Sequence, residues 1–90
     1  MVTATSQAAL ASVEPNVTKV QRLILKTLRN AGKLGMTDHE MQLFTGLNGS
    51  TQRPRRIELE RQGLVFDSGL TRETSTGRQA TIWLAKEFAR

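Results

Sequence analysis

The stretch that decides the fold runs from Thr37 to Val65 and reads TDHEMQLFTGLNGSTQRPRRIELERQGLV. Thr37 and Glu40 have the S/T-x-x-E spacing of a capping box, in which the two residues exchange side-chain-to-backbone hydrogen bonds at the start of a helix. Gly46 suits the left-handed residue that ends this helix, and Gly63 suits the end of a second one. The pattern therefore predicts two short helices joined by a tight Gly/Asn turn.

Two helices joined by a Gly-containing turn of a few residues are the signature of a helix-turn-helix motif. The first helix is about two turns long, so packing must hold it. Its apolar side is formed by Met41, Leu43 and Phe44. Asn48, Ser50 and Thr51 are all plausible N-caps for the second helix. Pro54 favours Ser50 or Thr51, since a cap at Asn48 would require a kink at the proline.

A longer helix is predicted before this motif. Pro15 suits its first turn, because the missing amide hydrogen would be unpaired there anyway, and Gly32 provides a natural C-cap. The apolar residues between them recur at steps of three or four, the helical period: Val17, Val20, Leu23, Ile24, Leu28 and Ala31. Residues 1–14 lack such a pattern, which predicts a flexible N-terminal tail, a domain over residues 15–85 and a C-terminal tail over residues 86–90.

Two strands are predicted after the motif. Residues 64–66 form an apolar run that the turn residues Asp67-Ser68-Gly69 end, and residues 79–84 form the returning strand. Residues 70–78 then make a polar loop of nine residues, longer than a simple hairpin needs. The connector at residues 33–36 has room for one or two residues of a third strand. The predicted fold class is mainly α with a small antiparallel sheet (α+β).

Composition fits one small, basic domain. The chain has 90 residues, a net charge of +5 and 13 basic residues, most of them arginine. Its pI of 10.8 exceeds the value of about 9 that suggests nucleic-acid binding. The absence of cysteine excludes disulfides and thiolate metal sites. No apolar run approaches the roughly 18 residues of a membrane span, and the N-terminus does not resemble a signal peptide, so we expect a cytoplasmic protein.

Arginines concentrate on the second helix of the motif, at positions 53, 55 and 56. At about 100° per residue, Arg53 and Arg56 share one side, while Arg55 lies further round, where it reaches phosphate or pairs internally. Arginine suits phosphate and guanine contacts. Arg56 has a structural alternative, an i, i+4 pair with Glu60. We expect at least two of the three arginines to contact DNA.

Ser50, Thr51 and Gln52 stand at the start of the same helix, where backbone amides carry a partial positive charge. That end of a helix is a natural phosphate site, and glutamine is also suited to adenine. The alternative for either hydroxyl residue is a capping role, which can coexist with DNA contact.

The loop between the strands carries Arg72, Arg78 and four hydroxyls, Thr74 among them. Such groups let a β-wing grip phosphate or enter the minor groove beside a DNA-reading helix. The plain alternative is a solvated loop. The excess length and the arginines together favour the first interpretation.

Catalysis and metal binding have little support. His39 is the only histidine and is expected at the surface, and Trp83 is expected in the core. Motifs for phosphate-cradling loops, nucleophilic serine or paired carboxylates are missing. We expect no enzymatic activity, no cofactor, no metal and no small-molecule substrate.

Residues 47–65 resemble the recognition-helix segment of winged helix-turn-helix proteins. DSGLTRETSTGRQATIWLA resembles the wing and closing strand of short winged-helix proteins from bacteriophages and bacteria. The resemblance covers residues 16–85 and implies a three-helix core, a two- or three-stranded wing, and DNA binding through the third helix and the wing. The implied DNA-binding residues are Ser50, Thr51, Gln52, Arg53, Arg55, Arg56, Arg72, Thr74 and Arg78. Many members have aliphatic residues in place of Gln52 and Arg56, which implies partial burial of these two.

The leading hypothesis is therefore a sequence-specific transcription regulator that binds double-stranded DNA. One such module buries only about 600–1,000 Å² on DNA, so useful specificity calls for a homodimer, tandem sites or a protein partner. The alternative from another class is a protein-interaction module whose basic face docks an acidic surface. A phage excision or replication accessory protein is the alternative within the DNA-binding class.

Overall fold

The computed structural model describes residues 17–89, in which the first helix, α1, spans Lys19–Ala31. It begins at a capping box: Thr18 accepts from the Gln21 amide at 3.3 Å, and the Gln21 side chain accepts from the Thr18 amide at 3.0 Å. This start is later than the one predicted from Pro15, which lies outside the described residues, as does the predicted tail at 1–14. Gly32 is the C-cap, as predicted.

The helix-turn-helix follows a short 3-10 turn at Gly32–Leu34. Helix α2 spans Asp38–Thr45 and begins at the predicted capping box of Thr37 and Glu40. Gly46 ends it with a φ of 77°, the left-handed conformation. Helix α3 spans Gly49–Arg61.

The N-cap of α3 is Asn48, so the preference for Ser50 or Thr51 was wrong. The Asn48 side-chain oxygen accepts from the Thr51 amide at 2.9 Å and from the Ser50 hydroxyl at 2.7 Å. Pro54 consequently lies inside the helix. Because Pro54 has no amide hydrogen, the carbonyl of Ser50, an exposed residue, receives no helical hydrogen bond from it.

The third helix ends as predicted at Gly63, which has a φ of 78°. The Gly63 amide donates to the Glu60 carbonyl and the Leu64 amide to the Leu59 carbonyl, both at 3.0 Å. This pair of bonds is the Schellman motif, which satisfies carbonyls at the end of a helix and turns the chain into the sheet.

Strands β1, Val65–Glu73, and β2, Gln79–Ala85, form a two-stranded antiparallel sheet. The first strand was predicted to stop at Asp67 and the loop to span nine residues; both predictions were wrong. Strand β1 continues to Glu73, so the connecting loop is only residues 74–78. We call β1, β2 and this loop the wing, and residues 74–78 the wing tip.

The predicted turn at Asp67-Ser68-Gly69 is a bulge within β1. Asp67 pairs with Trp83 and Thr71 with Thr81, so three residues of β1 lie opposite one residue of β2. The Asp67 carboxylate accepts from the Gly69 amide at 2.8 Å, which is the turn chemistry that the sequence suggested. A bulge of this kind bends a strand without ending it.

A third strand is present as the single residue Met36. Its amide donates to the Trp83 carbonyl at 3.0 Å, and its carbonyl accepts from the Trp83 amide at 2.8 Å. Gly35 makes this approach possible, because a Cβ there would lie 2.5 Å from the Trp83 carbonyl oxygen. The predicted short strand in the connector is thus confirmed.

The core lies where the three helices meet the sheet. Its largest fully buried apolar residues are Ile24, Leu25, Leu28, Met41, Leu59 and Val65. Trp83 is buried, as predicted, whereas Leu23 is 41% exposed, so the buried face of α1 is rotated slightly from the predicted one. Leu43 and Phe44 were predicted to pack but are 70% and 76% exposed. The short helix α2 turns only one of its three apolar residues fully inward.

The packed fold continues past residue 85, the predicted end of the domain. Residues Lys86–Phe88 form a 3-10 turn, and the Lys86 amide donates to the Leu64 carbonyl at 3.0 Å. Glu87 pairs with Arg29 at 2.7 Å, and Phe88 packs against the core. No helix within residues 17–89 has the length and apolar character to cross a membrane. Three helices followed by an antiparallel two-stranded sheet confirm the predicted winged-helix layout.

Candidate nucleic-acid interface

Asp38, the first residue of α2, holds α3 in place. Its carboxylate accepts two hydrogen bonds from the Arg56 guanidinium, from Nε at 2.9 Å and from Nη2 at 2.6 Å. Gln52 Nε2 donates to the same carboxylate at 2.9 Å, and Gln42 donates to the Gln52 oxygen at 2.9 Å. We call Asp38, Gln42, Gln52 and Arg56 the Asp38 cluster. It joins α2 to α3 through a chain of charge-assisted hydrogen bonds.

Both charges of this cluster are stabilised in the folded protein. Burial raises the pKa of the Asp38 carboxyl, but the hydrogen bonds from Arg56 and Gln52 outweigh burial and bring the pKa below its ordinary value. For Arg56, burial lowers the pKa, but Asp38 and Glu60 outweigh it and raise the pKa. The Arg56 guanidinium also stacks over Trp83, 3.9 Å from the ring centroid, which adds a cation–π contact.

Two of the predicted DNA-binding residues therefore belong to the interior. Gln52 is fully buried and Arg56 is 7% exposed. The structural alternative for Arg56 is confirmed, since its Nη1 lies 3.2 Å from Glu60 Oε1. With their polar groups engaged inside the fold, neither side chain is presented at the surface of α3. Their placement supports a role in orienting that helix.

Two further arginines of α3, Arg53 and Arg55, face different ways. Arg53 is the exposed one: its side chain is 58% exposed, and its ion pair with Asp38 is long, at 3.8 Å. Arg55 donates to Glu58 at 2.9 Å, and Glu58 also accepts from Gln21 of α1 at 2.6 Å. Arg55 is thus tied to the α1 side of the helix, while Arg53 stands beside the start of α2.

Around the first turn of α3, polar groups are accessible. Ser50 is exposed and Thr51 is half-buried. Asn48 is exposed as well, and sequence reasoning considered it only as a cap. An asparagine directly before Gly-Ser-Thr is the signal that could have placed it at this surface.

The two wing arginines are also unlike each other. Arg72 pairs with Glu40 of α2 at 2.5 Å and donates to the Leu34 carbonyl at 2.8 Å, so it fastens β1 to α2. Burial raises the pKa of Glu40, but the Thr37 amide and Arg72 outweigh it and lower the pKa. Arg78, at the wing tip, is exposed and has no ion-pair partner within residues 17–89.

The wing tip faces the start of α2 across a shallow cleft. The cleft has a volume of about 280 Å³ and is lined by His39, Thr74, Ser75, Thr76 and Arg78, among others. The Thr74 and Thr76 hydroxyls share a hydrogen bond at 3.0 Å. His39 is exposed, as predicted. Because α3 contacts Asp38 and the wing tip faces His39, α3 and the wing tip flank the same end of α2.

Most of the acidic charge in residues 17–89 is neutralised by pairing with arginine. Five of the described acidic residues pair with arginine, namely Asp38, Glu40, Glu58, Glu60 and Glu87. Among the described residues, no cluster of His, Cys, Asp and Glu could hold a metal ion. What this end of the molecule offers chemically is hydroxyls, amides and two exposed guanidinium groups.

No protein-family model, curated protein or solved structure matches this chain. The resemblance to winged helix-turn-helix proteins rests on the sequence motifs and on the layout of the helices and the sheet.

Proposed function

We propose that this protein binds double-stranded DNA through the first half of α3 and the wing tip, and acts as a sequence-specific transcription regulator. One observation carries the proposal: the exposed guanidinium groups of Arg53 and Arg78 belong to two elements that flank the same end of α2. A helix and a hairpin loop arranged in this way can occupy a major groove and the adjacent backbone or minor groove together.

Each group has a chemical task in this proposal. The amides and hydroxyls of the first turn of α3, at Asn48, Ser50 and Thr51, suit a backbone phosphate. Arg53, one turn further along, suits guanine or phosphate. At the wing tip, Thr74 and Arg78 suit phosphate or a narrow minor groove.

The Asp38 cluster holds α3, and with it the proposed DNA-binding surface, in a fixed orientation. A side chain that reads bases must be held to within about 0.5 Å by the residues that support it. Arg56 and Gln52 fix α3 against α2 from the inside, so that Arg53 projects from a fixed helix. On this basis Gln52, Arg55 and Arg56 support the DNA-binding surface and do not contact DNA.

The test begins with selection of duplexes from a random pool by the purified protein, followed by binding to the selected duplex across a salt series. Replacing Arg53 and Arg78 together by alanine should flatten the plot of log K against log salt concentration by about 2, because two phosphate-neutralising charges are removed. The matched control is Lys26→Ala with Lys86→Ala, which removes the same charge from exposed positions on α1 and after β2. It should leave the slope nearly unchanged.

The outcomes separate the hypotheses. A defined motif whose binding depends on Arg53 supports the regulator. Salt-sensitive binding without a motif indicates an architectural or accessory protein. If the wild type binds no duplex at low salt, or if both double variants lose binding equally, the proposed interface is wrong.

A further inference from the structure

His39 lies between the two parts of the proposed DNA-binding surface. It is the second residue of α2, and it lines the cleft that separates α2 from the wing tip. The residue is exposed, and no hydrogen bond engages its imidazole within residues 17–89. The imidazole is therefore accessible to a ligand, and the DNA contacts proposed for α3 and the wing do not include it.

The wing tip places hydrogen-bond donors opposite His39. Thr74 and Arg78 line the same cleft. They are joined by the backbone of a tight turn, in which the Thr74 amide donates to the Arg78 carbonyl at 2.7 Å and the Gly77 amide donates to the Thr74 carbonyl at 2.9 Å. The Thr74 hydroxyl and the Arg78 guanidinium are thus carried by a defined turn that faces the imidazole.

The carboxylates around this cleft are paired with arginine. The charged groups at this end of the molecule are Asp38 and Glu40 of α2, Arg53, Arg56 and Glu60 of α3, and Arg72 and Arg78 of the wing. Each of the three carboxylates has an arginine partner, whereas Arg78 has no ion-pair partner within residues 17–89. Glu73 follows Arg72 in β1, and because side chains alternate along a strand, it projects from the other face of the wing. The cleft therefore favours an anion.

We propose that His39, Arg78 and the hydroxyls of the wing tip bind one backbone phosphate of DNA, and that protonation of His39 strengthens this contact. The inference rests on the proposed function and adds α2 to the surface that contacts DNA. Hydroxyls, imidazoles and guanidinium groups all donate hydrogen bonds to phosphate oxygens. The cleft, at about 280 Å³, lies below the range of about 300–1,000 Å³ usual for small-molecule sites, so it suits a single phosphate of a polymer better than a cofactor.

A histidine at this position makes DNA binding depend on pH. Histidine is the side chain whose ordinary change of charge falls between pH 5 and pH 8, and His39 is the only histidine of the chain. Asp38 and Glu40 stay ionised over this range, because their hydrogen bonds hold the pKa of each below its ordinary value. Binding should therefore tighten as the pH falls from 8 to 5.5.

The test measures binding of a duplex selected by the wild type at pH 8 and at pH 5.5, each across a salt series. At low salt the wild type should bind about threefold more tightly at pH 5.5, an effect within the range of exposed ion pairs. Its plot of log K against log salt concentration should also be steeper by about 0.9, because one more phosphate is neutralised.

Two variants of the same residue serve as controls. His39→Gln should show neither change with pH, because its side chain stays neutral. His39→Lys carries a permanent charge over this range, so at pH 8 it should already have the slope that the wild type reaches at pH 5.5. The N-terminal amine, which also titrates near pH 8, is common to all three proteins and cannot cause a difference between them.

A wild type with the same affinity and salt slope at both pH values overturns the inference, and so does a pH dependence that persists in His39→Gln. In either case DNA binding through Arg53 and Arg78 stands, because its own test compares other variants at one pH. If the wild type binds no duplex at either pH, the proposed function fails and this inference fails with it. The ring-proton NMR signals of the single histidine should also move when duplex is added at pH 5.5, and signals that stay in place contradict the contact.

Discussion

Helix α3 and the wing each carry an arginine that is fastened to α2 and an exposed arginine that belongs to the proposed DNA-binding surface. In α3 these are Arg56 and Arg53; in the wing they are Arg72 and Arg78. The two fastened arginines differ in depth. The side chain of Arg56 is 9% exposed, whereas those of Arg72 and its partner Glu40 are 36% and 33% exposed.

We call the pairs Arg56–Asp38 and Arg72–Glu40 the two anchors. The burial of each anchor determines how firmly it holds its element. A buried pair that loses one partner leaves an uncompensated charge in the interior, while an exposed pair exchanges its partner for water at little cost. Helix α3 should therefore be held rigidly and the wing only loosely, although the same type of residue fastens both. The presence of an arginine–carboxylate pair in both α3 and the wing does not by itself reveal this difference in rigidity.

The largest expected effect is that of Asp38→Ala. This change leaves the buried Arg56 guanidinium with Glu60 as its remaining carboxylate, and it should lower the free energy of unfolding by about 3 kcal/mol. Urea unfolding followed by circular dichroism measures it. Glu73→Ala is the control, since Glu73 is exposed and has no ion pair within the described chain; its effect should stay within about 0.5 kcal/mol. Equal effects in the two variants would show that the Asp38 cluster is not an anchor.

Acid should weaken both arginine–carboxylate pairs. The pKa of Asp38 and that of Glu40 are lowered by folding, so their contribution is fully present above the unfolded values of about 4 and is lost as pH falls through the lower, folded pKa. The free energy of unfolding should fall as the pH drops below about 4, less steeply in Asp38→Asn than in the wild type. Unfolding by urea at a series of pH values tests this. An unchanged slope in Asp38→Asn would contradict the sign of its pKa shift.

Breaking the wing anchor should cost much less. Glu40→Gln keeps an amide oxygen that can still cap α2 but removes the charge that pairs with Arg72. Stability should fall by less than about 1 kcal/mol, as for other exposed ion pairs. Amide hydrogen exchange in β1 should quicken more than exchange in α3. A loss as large as that of Asp38→Ala would mean that the two anchors are equivalent.

The smallest effect on stability is expected for Arg53→Ala. Its side chain is mostly exposed and its ion pair is long, so the free energy of unfolding should change by less than about 0.5 kcal/mol. Under the proposed function the same change should weaken DNA binding by about 1–3 kcal/mol. Thermal unfolding and DNA binding, both measured on one preparation of the variant, show whether the loss of affinity occurs without a loss of stability. A large loss of stability would make any binding defect uninformative about contact.

The sequence correctly predicted those helix ends that are fixed by hydrogen bonds between residues close together in the chain. The cap at Thr37 and Glu40, the left-handed Gly46 and the end of α3 at Gly63 each depend on hydrogen bonds within six residues. The bulge in β1 was recognised as turn chemistry but misplaced, because only the pairing with β2 shows that the strand continues. The Asn48 cap was disfavoured because Pro54 was expected in the first turn of α3, whereas the structure places Pro54 inside the helix that Asn48 caps.

The candidate site was predicted less well for a related reason. Gln52 and Arg56 are separated from Asp38 by 14 and 18 residues, and no periodicity within α3 reveals that contact. Arg72 and Glu40 are separated by 32 residues. The sequence does not show which polar residues of α3 are buried, because their acidic partner, Asp38, lies on another helix. Only the family resemblance indicated that Gln52 and Arg56 are partly buried.

The bridge between Met36 and Trp83 has a kinetic consequence. These two residues pair directly although 46 residues separate them, and both α2 and α3 lie within the loop that they close. Closing a loop of that length costs on the order of 3 kcal/mol of chain entropy, which non-local contacts must repay. Because Trp83 belongs to β2, this loop is closed only when the second strand of the wing has returned to the segment before α2. One pair of backbone hydrogen bonds thus restrains the whole helix-turn-helix at both of its ends.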